Sequence, residues 1–404
     1  MINRADDIST LWKYDWVVGA PWQDVQTYHA RNPTGIAMTY VRLDNPPFEG
    51  SKISLDGSHY WHVCSMMNIA SGGVSGNKLF PGEQEKYTFE NWPGGTDNIS
   101  DGQAANVGYI RPWDKSLDSQ RNSDASFVTE SGCPYGTEIH VWNLAHAGKL
   151  NGQLQVYAAK KNRIYGNGWD GIWSDNAYSR YSKAWGDGMQ TSYTFMRDSL
   201  PGKSVGGNGI CISWYRNGWG GNDPEGYLKM ANANLVEEFA PLYGAINQTN
   251  VDFFISWNNR CLNYPDPYGM PRYNAFWDAY VASSYQRMRW GLTLSLMASM
   301  YYMAPLPDPY NNPDPWYDEY WGGSLNRRGY LGQATGPALK LPSGVWRRDF
   351  ANGIALHNST GSTQTVNLGG SFRHLTGAQV ATVNSGSVVS SVTIPNQDGL
   401  ILLR

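Results

Sequence analysis

The 404-residue sequence predicts an α/β protein built as a (β/α)8 TIM barrel, with a long insertion after the second strand and a small antiparallel β-sandwich at its C-terminal end. Three observations predict this. Short apolar runs alternate with helical stretches over most of the length, as βαβ units require. No GxGxxG or P-loop follows an early strand, which counts against the competing doubly wound open sheet. After about Gly336 the rhythm changes to short strands separated by Gly, Ser and Asn turns.

In chain order, the first strand is read in Tyr14–Gly19, and the second in Gly35–Val41, running out toward Arg42 and Asp44. The third is Glu138–Asn143, and the fourth, Gly171–Asp175, follows a helix from about Gln153 to Arg163. The fifth is Gly209–Trp214, the sixth Ala233–Glu237 and the seventh Val251–Trp257. A long helix near Asn274–Ala298 then delivers the eighth, Met300–Met303. Residues 1–335 are thus expected to form the barrel, with 45–136 as an excursion walling its mouth and 336–404 as the terminal β-domain. A loop of that length is expected to carry short elements of its own.

Composition narrows the partners. Net charge is −3 with no basic stripe, so nucleic acid is not expected. No run approaches the roughly 18 apolar residues of a membrane span. The opening residues, Met1 to Asp7, lack the apolar stretch of a signal peptide, so export is expected only if a leader was trimmed and a cytoplasmic location otherwise. Four scattered cysteines without a CxxC pair suggest buried thiols or one incidental disulfide, not a zinc site. The seven histidines show no metal-binding spacing and no GxSxG elbow occurs, so neither metal nor cofactor is expected. The sequence has 18 Trp and 26 Tyr against 11 Phe. Those two side chains join a flat apolar face to a polar edge, which suits sugars, although a large barrel also spends them in its core.

In a TIM barrel the site forms at the C-terminal ends of the strands. The fourth strand ends in Asp175. Alternation puts Asp170 and Asp175 on opposite faces, so Asp170 reads as a structural acid and Asp175 as the one facing the pocket. The sixth strand ends in Glu237-Glu238-Phe239, where Phe239 reads as the core anchor of the turn and Glu237 as the glutamate facing the mouth. Two carboxyl groups two strands apart supply what glycoside hydrolysis needs: one to attack or stabilise the oxocarbenium-like centre, the other to protonate the leaving oxygen. Ordinary strand-end caps or ion pairs are the bland alternative.

Other strand ends fit sugar binding. Trp142 and Asn143, Trp214 and Arg216, and Trp257 and Asn258 each join an aromatic to hydrogen-bonding groups, and Asp44 and Tyr302 end two further strands. Singly, each Trp reads more readily as core; their repetition at three strand ends is the signal. Asp318 and Glu319, among the aromatics of Trp316–Trp321, read as a lid or subsite and as reserve catalytic acids.

Several stretches in order resemble bacterial glycoside hydrolases that have a barrel and a C-terminal β-domain. They are Tyr14-Asp15-Trp16-Val17-Val18, Asn32-Pro33 and Trp169-Asp170-Gly171-Ile172-Trp173-Ser174-Asp175-Asn176. Trp316-Tyr317-Asp318-Glu319-Tyr320, Gly329-Tyr330-Leu331-Gly332 and Trp346-Arg347-Arg348-Asp349-Phe350 with Gly353 continue the series. The site layout is similar to that of dextranase-type retaining glycosidases, which place an Asp after strand four and a Glu after strand six. The resemblance implies Asp175 as nucleophile and Glu237 as acid/base, with retention of configuration. It implies nothing about the sugar, and the 45–136 insertion departs from the compact pattern. A reading from another class is a non-catalytic carbohydrate-binding protein on a barrel that has lost its chemistry.

Overall fold

The computed structural model describes residues 14–18, 22–42, 60–64, 110–112, 138–142, 168–175, 190, 193–210, 231–237, 239, 244–278, 284–303 and 317–404. Along the chain run β1 (Trp16–Val18), α1 (Trp22–Arg31), β2 (Ile36–Arg42), β3 (Tyr60–Cys64), β4 (Ile110–Pro112) and β5 (Glu138–Trp142). Next come β6 (Gly171–Asp175), β7 (Ser204–Asn208), β8 (Ala233–Glu237), α2 (Gln248–Leu262) and β9 (Tyr273–Trp277). They are followed by α3 (Tyr285–Met297), β10 (Tyr301–Met303) and α4 (Asp318–Trp321). The remainder is β11 (Leu339–Lys340), β12 (Trp346–Phe350), β13 (Gly353–Asn358), β14 (Gln364–His374), β15 (Val388–Ile394) and β16 (Asp398–Leu403).

Seven of these form one sheet in the order β1-β2-β6-β7-β8-β9-β10. The pairs β2–β6, β6–β7, β8–β9 and β9–β10 are parallel. The order follows the chain without the reversal that defines a doubly wound sheet, so this is the winding of a (β/α) barrel. In a flat sheet, six spacings of about 4.8 Å would hold the first and last strands roughly 29 Å apart. Instead Trp16 of β1 lies edge-on to Tyr301 of β10, ring centroids 5.8 Å apart, and 6.4 Å from Tyr273 of β9. Within the second unit, therefore, β1 curls round to meet β9 and β10.

Three expected strands lie elsewhere. Glu138–Trp142 pairs antiparallel with β3 in a separate sheet ordered β4-β3-β5. Its alternation of polar and apolar residues is the pattern common in antiparallel sheets, not the continuous apolar run of a parallel barrel strand. Of the strand expected fifth, Gly209–Trp214, residues 211–214 lie outside the described residues; the sheet's strand here is Ser204–Asn208, just ahead of it, which the glycines of SVGGN disguise. The predicted seventh strand, Val251–Trp257, is the middle of α2. Its β-rich composition misleads, but Asn247 caps the helix by accepting from the Asn250 amide. Val251, Phe254, Ile255, Asn258 and Cys261 are buried at helical spacing. The missing strand is Tyr273–Trp277, just past Pro271, where a helix was expected; that helix begins only at Tyr285, capped by Ser284. Cys261 is disulfide-bonded. Among the described residues no helix is long and apolar enough to cross a membrane.

Two compact units divide the chain: Ala37–Asn232 with Asp266–Met270, and Met1–Ile36, Ala233–Pro265 and Pro271–Arg404. In the first, Asp170 ties β6 to its neighbours. Its carboxylate accepts from the Ala37 amide at 2.7 Å, and its carbonyl accepts from the Ser204 amide at 2.7 Å. Buried Arg197 donates to Asn232 and Asp266, and Asn232 in turn accepts from the Val205 amide at 2.8 Å.

In the second unit the antiparallel sheet runs β11-β12-β13-β16-β14-β15. Strands β13 and β16 are buried on both faces, which explains their unbroken runs GIALHN and DGLILL. Ile354, Leu356, Leu400 and Leu402 point into a core shared with Val366, Leu368, Phe372, Val392 and Ile394. The other face meets α3, where a Cβ on Gly399 would lie 1.9 Å from Thr293 Oγ1. On its opposite side α3 presents Trp290 to Phe276 of β9 and to Phe239, which is fully buried as the turn anchor.

Two polar devices hold this contact. Arg289 of α3 and Asp398 of β16 form a buried bidentate pair at 3.0 and 2.8 Å. Burial pushes the Asp398 carboxyl up and Arg289 pulls against it. Beside it, Trp290 Nε1 donates to Ser359 Oγ at 2.8 Å, and Ser359 contacts His357 Nε2 at 3.0 Å. His357 Nδ1 meets Thr293 Oγ1 at 3.1 Å, and Thr293 donates to the Arg289 carbonyl at 2.7 Å. Because Thr293 spends its proton on the carbonyl, Nδ1 of His357 is assigned as the donor and Nε2 as the acceptor from Ser359. Every member is satisfied with the ring neutral, and burial lowers the His357 pKa to about 3.

Two outcomes are expected. Asp398→Ala leaves Arg289 buried without its partner and costs about 3–5 kcal/mol, read from urea unfolding midpoints. His357 stays neutral in the fold but takes a proton at about pH 6.5 when unfolded. Its contribution is therefore complete above pH 6.5 and is lost as pH falls toward about 3, by up to about 1.4 kcal/mol per unit. Stability of wild type and His357→Gln, measured from pH 7 to 4, should converge with acidification. Parallel curves would refute the assignment.

Candidate active site

In-register neighbours on parallel strands face the same way, so pairing and alternation sort the side chains of the second unit. Ala233, Leu235 and Glu237 of β8 align with Tyr273, Ala275 and Trp277 of β9. Ala275 and Trp277 align in turn with Tyr301 and Met303 of β10. This face includes Tyr273 and Tyr301, which touch Trp16, so it is the inner face of the curl. The opposite face carries Asn234, Val236, Phe276 and Tyr302, and Phe276 packs there on Phe254 of α2 and Trp290 of α3.

Glu237 is therefore an inner-face residue in the last position of its strand. The four residues before it are buried, while Glu237 is half-buried. In line with it across the C-terminal ends stand Trp277 and Met303. Trp277 was not legible as a strand-end residue because its strand was read as helix; the signal was the run Tyr-Asn-Ala-Phe-Trp shortly after a proline. Past it, fully buried Asp278 is held by Arg287, whose Nε and Nη2 lie 2.8 and 3.1 Å from its two oxygens. The Asp278 amide also donates to the Met303 carbonyl at 3.0 Å. These bonds fix the end of β9.

Asp175 is the last residue of β6, in register with Arg42 of β2. Gly171 is pressed against β7: a Cβ there would lie 2.0 Å from the Ser204 carbonyl oxygen. The Asp-Gly pair that opens this strand thus serves geometry, Asp170 by its hydrogen bonds and Gly171 by its lack of a side chain.

The other sequence candidates divide. Asp44, Asn143, Trp214 and Arg216 lie outside the described residues. Trp142 ends β5 in the antiparallel sheet. Trp257 and Asn258 sit on α2 instead of a strand end; Asn258 is fully buried, donating to the Phe254 carbonyl at 2.9 Å. Trp257 stacks on Phe253 at 5.7 Å. Tyr302 points to the helix layer, its hydroxyl against Gly291 of α3, and burial raises its pKa well above the usual value. Asp318 and Glu319 face the segment between β14 and β15. Asp318 accepts from the Gln379 amide at 2.9 Å, and buried Glu319 accepts from Asn384 at 3.1 Å. Burial raises the Glu319 pKa. Both carboxylates are thus occupied in holding that segment. Among the described residues no group of three His, Cys, Asp or Glu is placed to hold a metal ion.

The fold and these strand ends define an α/β barrel protein with carboxylates at the C-terminal edge of its parallel sheet. No protein-family profile matches the chain, and no curated protein matches it. Among solved structures it is similar to the α-amylase of H. orenii, with 11% identity over 95% of this chain and 83% of that one at a TM-score of 0.43. It is similar to the maltogenic α-amylase AmyB of Thermotoga neapolitana, with 8% identity over 94% and 80% at 0.43. The glycoside hydrolase domain of PelA from Pseudomonas aeruginosa is 11% identical over 74% and 90%, at 0.35. Likenesses this loose decide nothing about this chain's chemistry.

Gly171→Ala forces the start of β6 away from β7 and is expected to cost on the order of 1–3 kcal/mol. Denaturant unfolding of the variant reads this directly, and an unchanged midpoint would show that the strands part without strain.

Proposed function

We propose that the protein is a glycoside hydrolase that cleaves a poly- or oligosaccharide with Asp175 and Glu237. The observation that carries this reading is the ending of β6 and β8, two apart in the order of one parallel sheet, each in a carboxylate residue. Parallel strands bring their C-terminal ends to one edge, which is where barrel enzymes build their chemistry. Glu237 is half-buried on the inner face, as an acid must be that exchanges a proton with bound substrate.

In this reading Asp175 attacks the anomeric carbon while Glu237 protonates the departing oxygen. Glu237 then takes a proton from the water that releases the glycosyl group. The sequence resemblance to retaining enzymes favours this double displacement over single inversion.

Wild type, Asp175→Asn and Glu237→Gln incubated with a panel of polysaccharides test the proposal, with new reducing ends measured and the first anomer identified by proton NMR. Wild type should release ends with retained configuration, and each variant should be slower by roughly 10²- to 10⁴-fold while remaining folded. Equal release by Asp175→Asn would remove Asp175 from the mechanism. Silence from all three would favour a carbohydrate-binding protein without catalysis.

A further inference from the structure

We infer that Trp277 is the stacking platform for the sugar ring cleaved at Glu237, and that the ligand is a pyranose presenting a face of ring hydrogens. This rests on the glycosidase reading for the word cleaved, but its own evidence is independent of Asp175. Trp277 and Glu237 are register partners, so their Cα atoms lie one strand spacing apart, about 4.8 Å, with both side chains on the inner face. That spacing is close to the width of one sugar ring. A ring lying on the indole therefore has its edge within reach of the Glu237 carboxyl.

The burial pattern points the same way. Along β9 the helix-facing Asn274 and Phe276 are buried, whereas inner-face Tyr273, Ala275 and Trp277 are half-buried. Glu237 is the half-buried position of β8. Both side chains thus belong to the partly covered positions of their strands. The Trp277 Nε1 hydrogen is buried and has no hydrogen-bond partner, an uncommon state for an indole held inside a protein. A sugar hydroxyl would satisfy it, while the indole face covers the ring hydrogens.

The platform is also rigid. Asp278, the next residue, is locked by Arg287 and by its amide bond to Met303, so the backbone carrying Trp277 has little freedom to lose on binding. Aromatic platforms of this kind select the shape of the ring they carry. Trp277 would accordingly set which sugar is accepted, and Glu237 what happens to it.

Affinity electrophoresis in gels containing dextran, soluble starch, pullulan, laminarin, galactomannan or hydroxyethyl cellulose tests this, using Glu237→Gln as the background so that cleavage does not intervene. Glu237→Gln should be retarded by at least one of the six. Adding Trp277→Ala should weaken that retardation about tenfold or more, while Trp277→Phe, which keeps a ring, should fall between them. A matching urea midpoint for the Phe variant shows that the effect is not unfolding. Retardation unchanged by Trp277→Ala, or none by any of the six polymers, overturns the inference. Retardation that depends on Trp277 in a protein that releases no reducing ends would sink the glycosidase reading and leave the platform standing.

Discussion

The second unit depends on the burial of one helix on two sides. Helix α3 has no polar face to give to water, because Trp290 faces Phe276 and Phe239 while Arg289 and Thr293 face β13 and β16. A helix enclosed in this way must satisfy its polar side chains internally or lose several kcal/mol. The Arg289–Asp398 pair, made through Nε and Nη2, and the chain from Trp290 through Ser359, His357 and Thr293 do most of this. Apolar packing supplies the attraction, and these bonds restrict α3 to one seating on the sheet.

That seating reaches the inner face through a short route. Arg287 leaves the N-terminal turn of α3, lies over the Trp290 ring at 4.0 Å and grips Asp278. Asp278 closes β9 against β10. A helix held by the antiparallel sheet thereby fixes the strand end that bears Trp277, next to the strand that ends in Glu237. The packing that stabilises the unit and the placement of its inner-face row are one set of contacts.

Much of this was written in the residues. Strands β6 and β8 are short apolar runs closed by an acid; alternation separated Asp170 from Asp175, and reading Phe239 as the anchor of the turn went with the preference for Glu237. The reading failed where composition and period disagreed. Val251 to Trp257 has the β-branched and aromatic content of a strand, yet its buried positions repeat every three or four residues. Glu138 to Trp142 has the right length for a barrel strand, but it pairs antiparallel in another sheet, and its alternation was the available sign. The Ser-Val-Gly-Gly-Asn strand is nearly featureless because its two glycines, in register with Trp173 and Ser174, carry no side chain for a pattern to show. Those errors presented Trp142, Trp257 and Asn258 as barrel strand ends and hid Trp277 as one. Asp318 and Glu319 are a different case: an acid among aromatics looks the same whether it greets a ligand or, as the hydrogen bonds to Gln379 and Asn384 show here, its own chain.

The position of β16 has a consequence for how the chain comes together. It follows the other five strands of its sheet in sequence, yet it lies in the middle, between β13 and β14. A chain emerging from the ribosome cannot add these strands one beside the next. Helix α3 precedes β16 by about a hundred residues, so its Arg289 side stays uncovered during synthesis until that strand arrives. Loop closure on this scale makes assembly of the sheet a late, concerted event, with the wet flank of a nascent helix as the surface that chaperones would meet.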